Sequence, residues 1–250
     1  MGILNVTPDS FSDGGRFFSA SRAVQRALQI QREGADLIDI GGESTRPGSM
    51  PVPAEEEIRR VVPVIRKIAP RLKIPISVDT SKASVAEAAL QAGASIVNDV
   101  TALRDPDMPR VVRRFRAPVI LMHMRGTPLT MQENPFYRRL IPEILSELKS
   151  SVRAALHAGI PESKILIDPG IGFGKKPEQN LQLLKEIEKF KSLGFPVVIG
   201  PSKKSFLKRF AQGTASAVAY AAAQGADIVR VHDVAAMRRV VDVIGAIRFS

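Results

Sequence analysis

In this 250-residue chain, polar side chains recur at the ends of short apolar runs. In order they are Asn5, Asp39, Asp79, Asn98 with Asp99, His123, Asp168, the run Ser202-Lys203-Lys204-Ser205, and Arg230 with His232. A single aspartate in such a place is most often a helix cap or a structural acceptor. Eight successive ends carrying polar groups point instead to a ring of side chains around one site. Asp79, Asn98 and Asp168 suit a flat heterocycle rich in N–H donors: carboxylates accept paired hydrogen bonds, and the amide can give one and take one. Arg46, Lys203, Lys204, Arg230 and His232 form a cationic group suited to phosphate. Lys204-Ser205 is read as the start of a helix, where free backbone N–H groups favour an anion.

Other features carry less. The glycine-rich runs Gly170-Ile-Gly-Phe-Gly174 and Gly41-Gly42 match no Walker A pattern and are weak evidence of a phosphate cradle alone. Phe173 could cover a ring face or simply pack. The three histidines, His123, His157 and His232, have no metal-ligand spacing.

Positioning such a ring requires strands that end together. Eight β-branched runs, at 3–6, 37–40, 76–79, 96–99, 119–122, 165–168, 197–200 and 228–231, alternate with helical stretches. The helices are expected over 21–33, 55–68, 84–91, 141–157, 177–193 and 234–247. Apolar residues there return at three- and four-residue steps, as in Val61, Val64, Ile65 and Ile68. Glu33-Gly-Ala-Asp36, Gln91-Ala-Gly-Ala-Ser95 and Gln224-Gly-Ala-Asp227 each precede a strand, with glycine ending the helix in a left-handed turn. Short connections before strands and long polar ones after them predict a (β/α)8 TIM barrel, with the site at the C-terminal strand ends. A doubly wound sheet would usually carry G-x-G-x-x-G after an early strand, and none is present. No linker divides the chain, so one domain over 1–250 is expected.

Composition narrows the class. An apolar share of 44% supports a real core, and no window approaches the roughly 20 apolar residues of a membrane span. Met1 opens directly on a strand, with no basic leader. The absence of cysteine makes the reducing cytoplasm the expected compartment. The net charge of +11 is scattered over helices without interleaved aromatics, which are 5% of the chain. Nucleic-acid stacking is therefore not expected, and an anionic small molecule remains compatible.

Several stretches together resemble the dihydropteroate synthases, a family of pterin-binding enzymes. Gly2-Ile-Leu-Asn-Val-Thr-Pro-Asp-Ser-Phe-Ser-Asp-Gly14 and Asp39-Ile-Gly-Gly-Glu-Ser-Thr-Arg-Pro-Gly48 are similar to the two signature motifs. Ser77-Val-Asp-Thr80, Asn98-Asp99, Leu121-Met-His-Met124, Asp168-Pro-Gly-Ile-Gly-Phe-Gly-Lys175, Ser202-Lys-Lys-Ser205 and Arg230-Val-His-Asp233 follow in the same order. The resemblance implies a barrel, usually a homodimer, that needs Mg²⁺. Its activity would join 4-aminobenzoate to a hydroxymethyl-dihydropterin diphosphate with release of diphosphate. It further implies that Asp79, Asn98 and Asp168 hold the amino-pyrimidine edge of the pterin. Lys204 would reach the oxo side, and Met122, Phe173 and Gly200 would line the slot. Asn5 would meet the Mg²⁺–diphosphate, with Arg46, Arg230 and His232 on phosphate. Phe11, Thr45, Arg46, Pro47 and Ser205 would frame the aminobenzoate.

Two departures from the family pattern stand out. The region around 208–213 is shorter than in relatives, and Lys203 occupies a place where arginine is common, losing bidentate geometry. Residues 7–15 are expected to cover the site, with Pro8 setting the exit, Gly14-Gly15 as hinge positions, and Phe11 and Asp13 entering on closure. Three rival readings have their own discriminants. A pterin-binding methyltransferase domain has no diphosphate to hold, unlike Ser202-Lys-Lys-Ser205. An inactive paralogue would bind pterin without turnover, and an RNA-binding barrel has only net charge in its favour.

Overall fold

The computed structural model describes residues 1–7 and 16–250, the side chains of 16–20 and 249 excepted. Six parallel strands lie in chain order: β1 (Gly2–Asn5), β2 (Ile38–Gly41), β3 (Ile76–Asp79), β4 (Ile96–Asp99), β5 (Val119–Met122) and β6 (Ile165–Asp168). Two short strands, β7 (Val198–Ile199) and β8 (Ile228–Val229), pair with each other. Single bridges complete the ring, Ile167 to Val197 on one side and Gly2 to Val231 on the other. Ile3 donates to the Val231 carbonyl and Val231 donates to that of Met1, both at 2.9 Å, so β8 is bonded to β1. The expected eight-stranded barrel is closed, with β7 and β8 shorter than the sequence pattern suggests.

Most of the strands form because they are runs of apolar or β-branched residues buried on both faces, as in Val119-Ile120-Leu121-Met122. Two cores result. The larger lies between strands and helices and includes Ile38, Val61, Ile65, Val97, Leu121 and Phe190. The smaller joins Met1, Ile120 and Val198 with Leu37, Ile96, Leu166 and Ile228, side chains of different strands that meet inside the barrel. That plug fills the end opposite the functional strand termini.

Around the barrel run α1 (Arg16–Arg32), α2 (Ala54–Ile68), α3 (Ala83–Gln91), α4 (Met108–Phe115) and α5 (Leu140–His157). They are followed by α6 (Pro177–Lys185), α7 (Ile187–Lys191), α8 (Gly213–Ala223) and α9 (Val234–Phe249). In α2 the expected stripe is buried, Glu55–Glu57 sit in the first turn, and Arg66 and Lys67 in the last, matching the helix dipole. Gly93 ends α3 at φ +114°, and a Cβ there would lie 2.6 Å from that of Ala69. The single helix expected over 177–193 is divided. Glu186 leaves helical geometry (φ −109°, ψ 24°), which turns Ile187 and Phe190 into the core. No helix among the described residues is long and apolar enough to cross a membrane.

Candidate active site

Strand register brings the expected residues to one level. Asn5 pairs with Gly41, Gly41 with Asp79, and Asp79 with Asn98. Across the barrel, Asp168 is level with Met122. The four strand ends therefore present an amide, a gap, a carboxylate and an amide side by side.

Arg230, just beyond β8, reaches across this floor. Its Nε donates to Asp39 Oδ2 and its Nη2 to Asp79 Oδ2, both at 2.6 Å. Asn98 Nδ2 donates to the same Asp39 oxygen at 3.1 Å, which leaves the Asn98 carbonyl oxygen as its free end. Asp79 Oδ1 is buried without a protein partner among the described residues. Burial pushes the Asp79 carboxyl well up, and Arg230 pulls it back down. Arg230 is held firmly charged against its burial by Asp39 and Asp79. Breaking such a buried pair from one side typically costs about 3–5 kcal/mol. Among the described residues no hydrogen-bond partner is found for Arg230 Nη1, which is left for an anion.

The loop after β6 supplies the opposite wall. Asp168 Oδ1 accepts from the Gly170 amide at 2.7 Å. Burial raises the Asp168 carboxyl to about 6, against the pull of that amide and of Lys204, Arg230 and Lys175. Gly170 has φ +73°, and a Cβ there would lie 1.9 Å from the His123 carbonyl oxygen. No other residue fits this approach. The loop then carries Phe173 into an apolar cluster with Val100, Met122, Met124 and Met131. Lys204 Nζ lies 4.0 Å from the centre of the Phe173 ring, a cation–π contact. Burial lowers the Lys204 ammonium to about 8. Gly200, at the end of β7, lies beside Arg230, whose Cβ would be 3.8 Å from an added Cβ. Asp79, Asn98, Met122, Asp168, Phe173, Gly200 and Lys204 thus all border one region.

The rim is less uniform. His232 Nδ1 contacts Ser202 Oγ at 2.9 Å, and its own amide donates to that oxygen at 3.1 Å. Burial, then Lys203, Arg230, Arg46 and Lys204, lower the imidazole to about 4. His232 is therefore neutral at pH 7, and the expectation of a cationic histidine is corrected: it offers a hydrogen bond instead of charge.

The helix expected at Lys204-Ser205 is also corrected. Ser205–Leu207 is a single 3₁₀ turn and α8 begins only at Gly213, because Gln212 adopts φ +57° and cannot continue a helix. Lys203 is left-handed as well, at φ +57°, and is exposed. The short region 208–213 passes through consecutive turns, Phe210 to Leu207 and Gly213 to Phe210.

After β2, Glu43 anchors the next loop. Its Oε2 accepts from the Val52 amide at 2.8 Å and from Lys82, which also pairs with fully buried Glu57 at 2.7 Å. Thr45 lines a cleft with Asp79, Thr80, Val100 and Pro128. Arg46 and Pro47, next along the chain, are exposed, as is Ser205. Phe11, and the expected cover over 7–15 with Pro8, Asp13, Gly14 and Gly15, lie outside the described residues apart from Thr7.

Among the described residues no group of three His, Cys, Asp or Glu could hold a metal. Asn5 offers one neutral oxygen, directed towards Gly41. That donor set fits a cation carried largely by water and a ligand's phosphates, as Mg²⁺ is elsewhere.

Sequence reading assigns no role to the Asp39 carboxylate beyond the ring, or to Lys175 beyond a glycine-rich run. For Asp39 the signal was a charge inside Leu37-Ile38-Asp39-Ile40. For Lys175 it was a charged residue closing the glycine-rich run Gly170-Ile-Gly-Phe-Gly174.

Comparison with known proteins agrees with this geometry. The profile of the family described as pterin binding enzyme matches residues 1–232. The dihydropteroate synthase of Synechocystis sp. is 47% identical over 99% of this chain and 89% of its own length. That of Bacillus subtilis is 46% identical over 98% and 87%. Among solved structures, Xanthomonas albilineans dihydropteroate synthase with 4-aminobenzoic acid superposes with TM-score 0.94 at 45% identity, covering 100% of this chain and 93% of that one. The same enzyme in complex with 7,8-dihydropteroate gives TM-score 0.90 at 42% identity, with the same coverage. On the whole length of its barrel, then, the chain belongs to the pterin binding enzymes, in the company of the dihydropteroate synthases.

Proposed function

We propose that this chain is a dihydropteroate synthase, condensing 4-aminobenzoate with 6-hydroxymethyl-7,8-dihydropterin diphosphate to give 7,8-dihydropteroate and diphosphate. The observation that carries the reading is the convergence of Asp79, Asn98 and Asp168 opposite Phe173 and Lys204. The two carboxylates and the fixed Asn98 carbonyl accept from the amino-pyrimidine N–H groups. Met122 and Phe173 give the flat ring an apolar wall, and Lys204 meets its oxo and ring-nitrogen side.

Displacement at the pterin methylene demands stabilisation of the departing diphosphate. Arg230 has Nη1 left for phosphate while Nε and Nη2 stay on Asp39 and Asp79. The same guanidinium therefore ties the leaving-group end to the pterin floor. His232 and Arg46 add donors at the rim. Asn5 would hold a Mg²⁺, which supplies charge neutralisation to the diphosphate when bound. Thr45, Arg46, Pro47, Ser205 and Phe11 frame the aminobenzoate. Positioning that weak nucleophile accounts for much of the remaining rate. No side chain is assigned as an obligate base, since the aniline proton is acidic only once the new bond exists.

The same reading includes a cytoplasmic homodimer, supported by the absence of cysteine and by exposed Tyr220 on α8 and Val243 and Ile247 on α9. The decisive test mixes purified protein with both substrates. Dihydropteroate and diphosphate should appear in equal amounts and only with Mg²⁺. Pterin binding without product would leave a binding protein, not a synthase.

A further inference from the structure

Lys175 is 2% exposed, a lysine almost wholly removed from water. Among the described residues its Nζ has no carboxylate within hydrogen-bonding distance. It meets the carbonyls of Phe173 at 2.8 Å and Gly170 at 2.9 Å, and His123 Nδ1 at 3.0 Å. With the His123 carbonyl at a longer 3.4 Å, the three N–H donors of the ammonium are fully engaged. Because Nδ1 accepts, the His123 ring carries its proton on Nε2, which donates to Glu147 Oε2 on α5 at 3.0 Å. Glu147 is in turn paired with Arg125. A chain of polar contacts therefore runs from outside the barrel, through the imidazole, to the back of the loop after β6.

An apolar side chain would fill this space without the desolvation cost of a buried cation. What the ammonium adds is a grip on two carbonyls that bracket the loop's turn. The rest of the loop is fastened from behind in the same manner. Asn180 accepts from the Gly172 amide at 2.6 Å, and Tyr137 donates to the Gly174 carbonyl at 3.0 Å. The front of the loop carries the Phe173 ring and the Gly170 amide that bonds Asp168.

We propose that Lys175 is a positioning residue for the pterin slot, holding Gly170 and Phe173 from behind so that the Asp168 carboxylate and the Phe173 ring keep their places, with His123 and Glu147 setting its orientation. The inference rests on the pterin reading of the site. It assigns no contact between Lys175 and substrate. Burial also lowers the ammonium to about 7, against the pull of Asp168 and Glu147, so the grip depends on neighbours that keep it charged.

The test compares wild type, Lys175→Met and Glu147→Ala, each verified as folded by circular dichroism. Lys175→Met should raise the pterin Kd and the KM for the pterin diphosphate at least tenfold. The KM for aminobenzoate, measured at saturating pterin, should stay within twofold, because the Thr45–Pro47 side of the site hangs on β2. Glu147→Ala removes the acceptor that fixes the imidazole tautomer and should raise the pterin Kd about threefold. Equal rises in both KM values, or a folded Lys175→Met that binds pterin within twofold of wild type, would overturn the proposal. If Lys175→Met does not fold, an unchanged pterin Kd in Glu147→Ala overturns it alone. Failure of the wild type to bind pterin would instead sink the underlying functional reading, so the two failures are distinct.

Discussion

Asp168 sits where burial and ligand binding pull against each other. Its carboxyl is raised to about 6, yet the pterin edge requires it ionised. A ligand that selects the charged form loses affinity as pH falls through that value. Both nearby histidines are lowered to about 4, so neither titrates in the same window. Asp79, raised to about 7, and Lys204, lowered to about 8, face the same ligand. Pterin affinity should therefore weaken as pH falls below about 6 and the two carboxylates take up protons. It should weaken again above about 8 as Lys204 loses its charge, as isothermal titration at several pH values can follow. Asp168→Asn should cut affinity at pH 7 by roughly 10- to 100-fold, the usual worth of a hydrogen bond to a charged group, and flatten that acid limb. A mutant that keeps wild-type affinity would remove Asp168 from the site. At this scale much was legible: Asp79, Asn98 and Asp168 announce themselves as polar residues ending apolar strands. The neutrality of His232 was not, because it follows from burial and four surrounding cations. Nor was the Arg230 fork, which joins residues 191 and 151 positions apart.

Among elements, the loop after β6 is the most constrained. Gly170 combines φ +73° with a 1.9 Å approach to the His123 carbonyl, so any side chain must push the loop off β5. A non-glycine residue in that backbone region alone costs about 1–3 kcal/mol. Gly170→Ala should lower the melting temperature and weaken pterin binding together, since Phe173 and the Gly170 amide move with the loop. By contrast, Gly48→Ala meets no atom within 4 Å and carries only the cost of its φ of +79°; it should leave the pterin Kd unchanged. The strands and most helices were readable because burial on both faces, or on one stripe, writes itself into residue spacing. The division of α6 from α7 and the turn after Ser205 were not. Each depends on one residue, Glu186 or Gln212, leaving helical geometry in a stretch whose apolar spacing stays helical.

For the molecule as a whole, the site is a standing cost in stability. A carboxyl raised in the folded state binds more protons folded than unfolded between the two pKa values. Stability from Asp168 is therefore fully present below pH 4 and is lost as pH rises through about 6. The shift from 3.8 to about 6 corresponds to about 3 kcal/mol at neutral pH. Asp168→Asn should accordingly melt higher than wild type at pH 7 while losing its ligand, and the margin should shrink towards pH 4. Urea denaturation of both proteins across that range reads the difference directly. A mutant less stable at every pH would contradict it. Such exchange of stability for function is common at binding sites.

The closure of the barrel bears on how the chain is made. Ile3 bonds Val231, so the first strand and the last are direct neighbours. During synthesis β1 can pair early with β2, but its other edge has no partner until β8 has been made. For most of translation the nascent chain holds an open sheet with one bare edge, the condition that invites pairing with another chain. Met1 also belongs to the interior plug, whose Val198 and Ile228 arrive late. Completion of the ring is thus a late event that joins strands more than 200 residues apart.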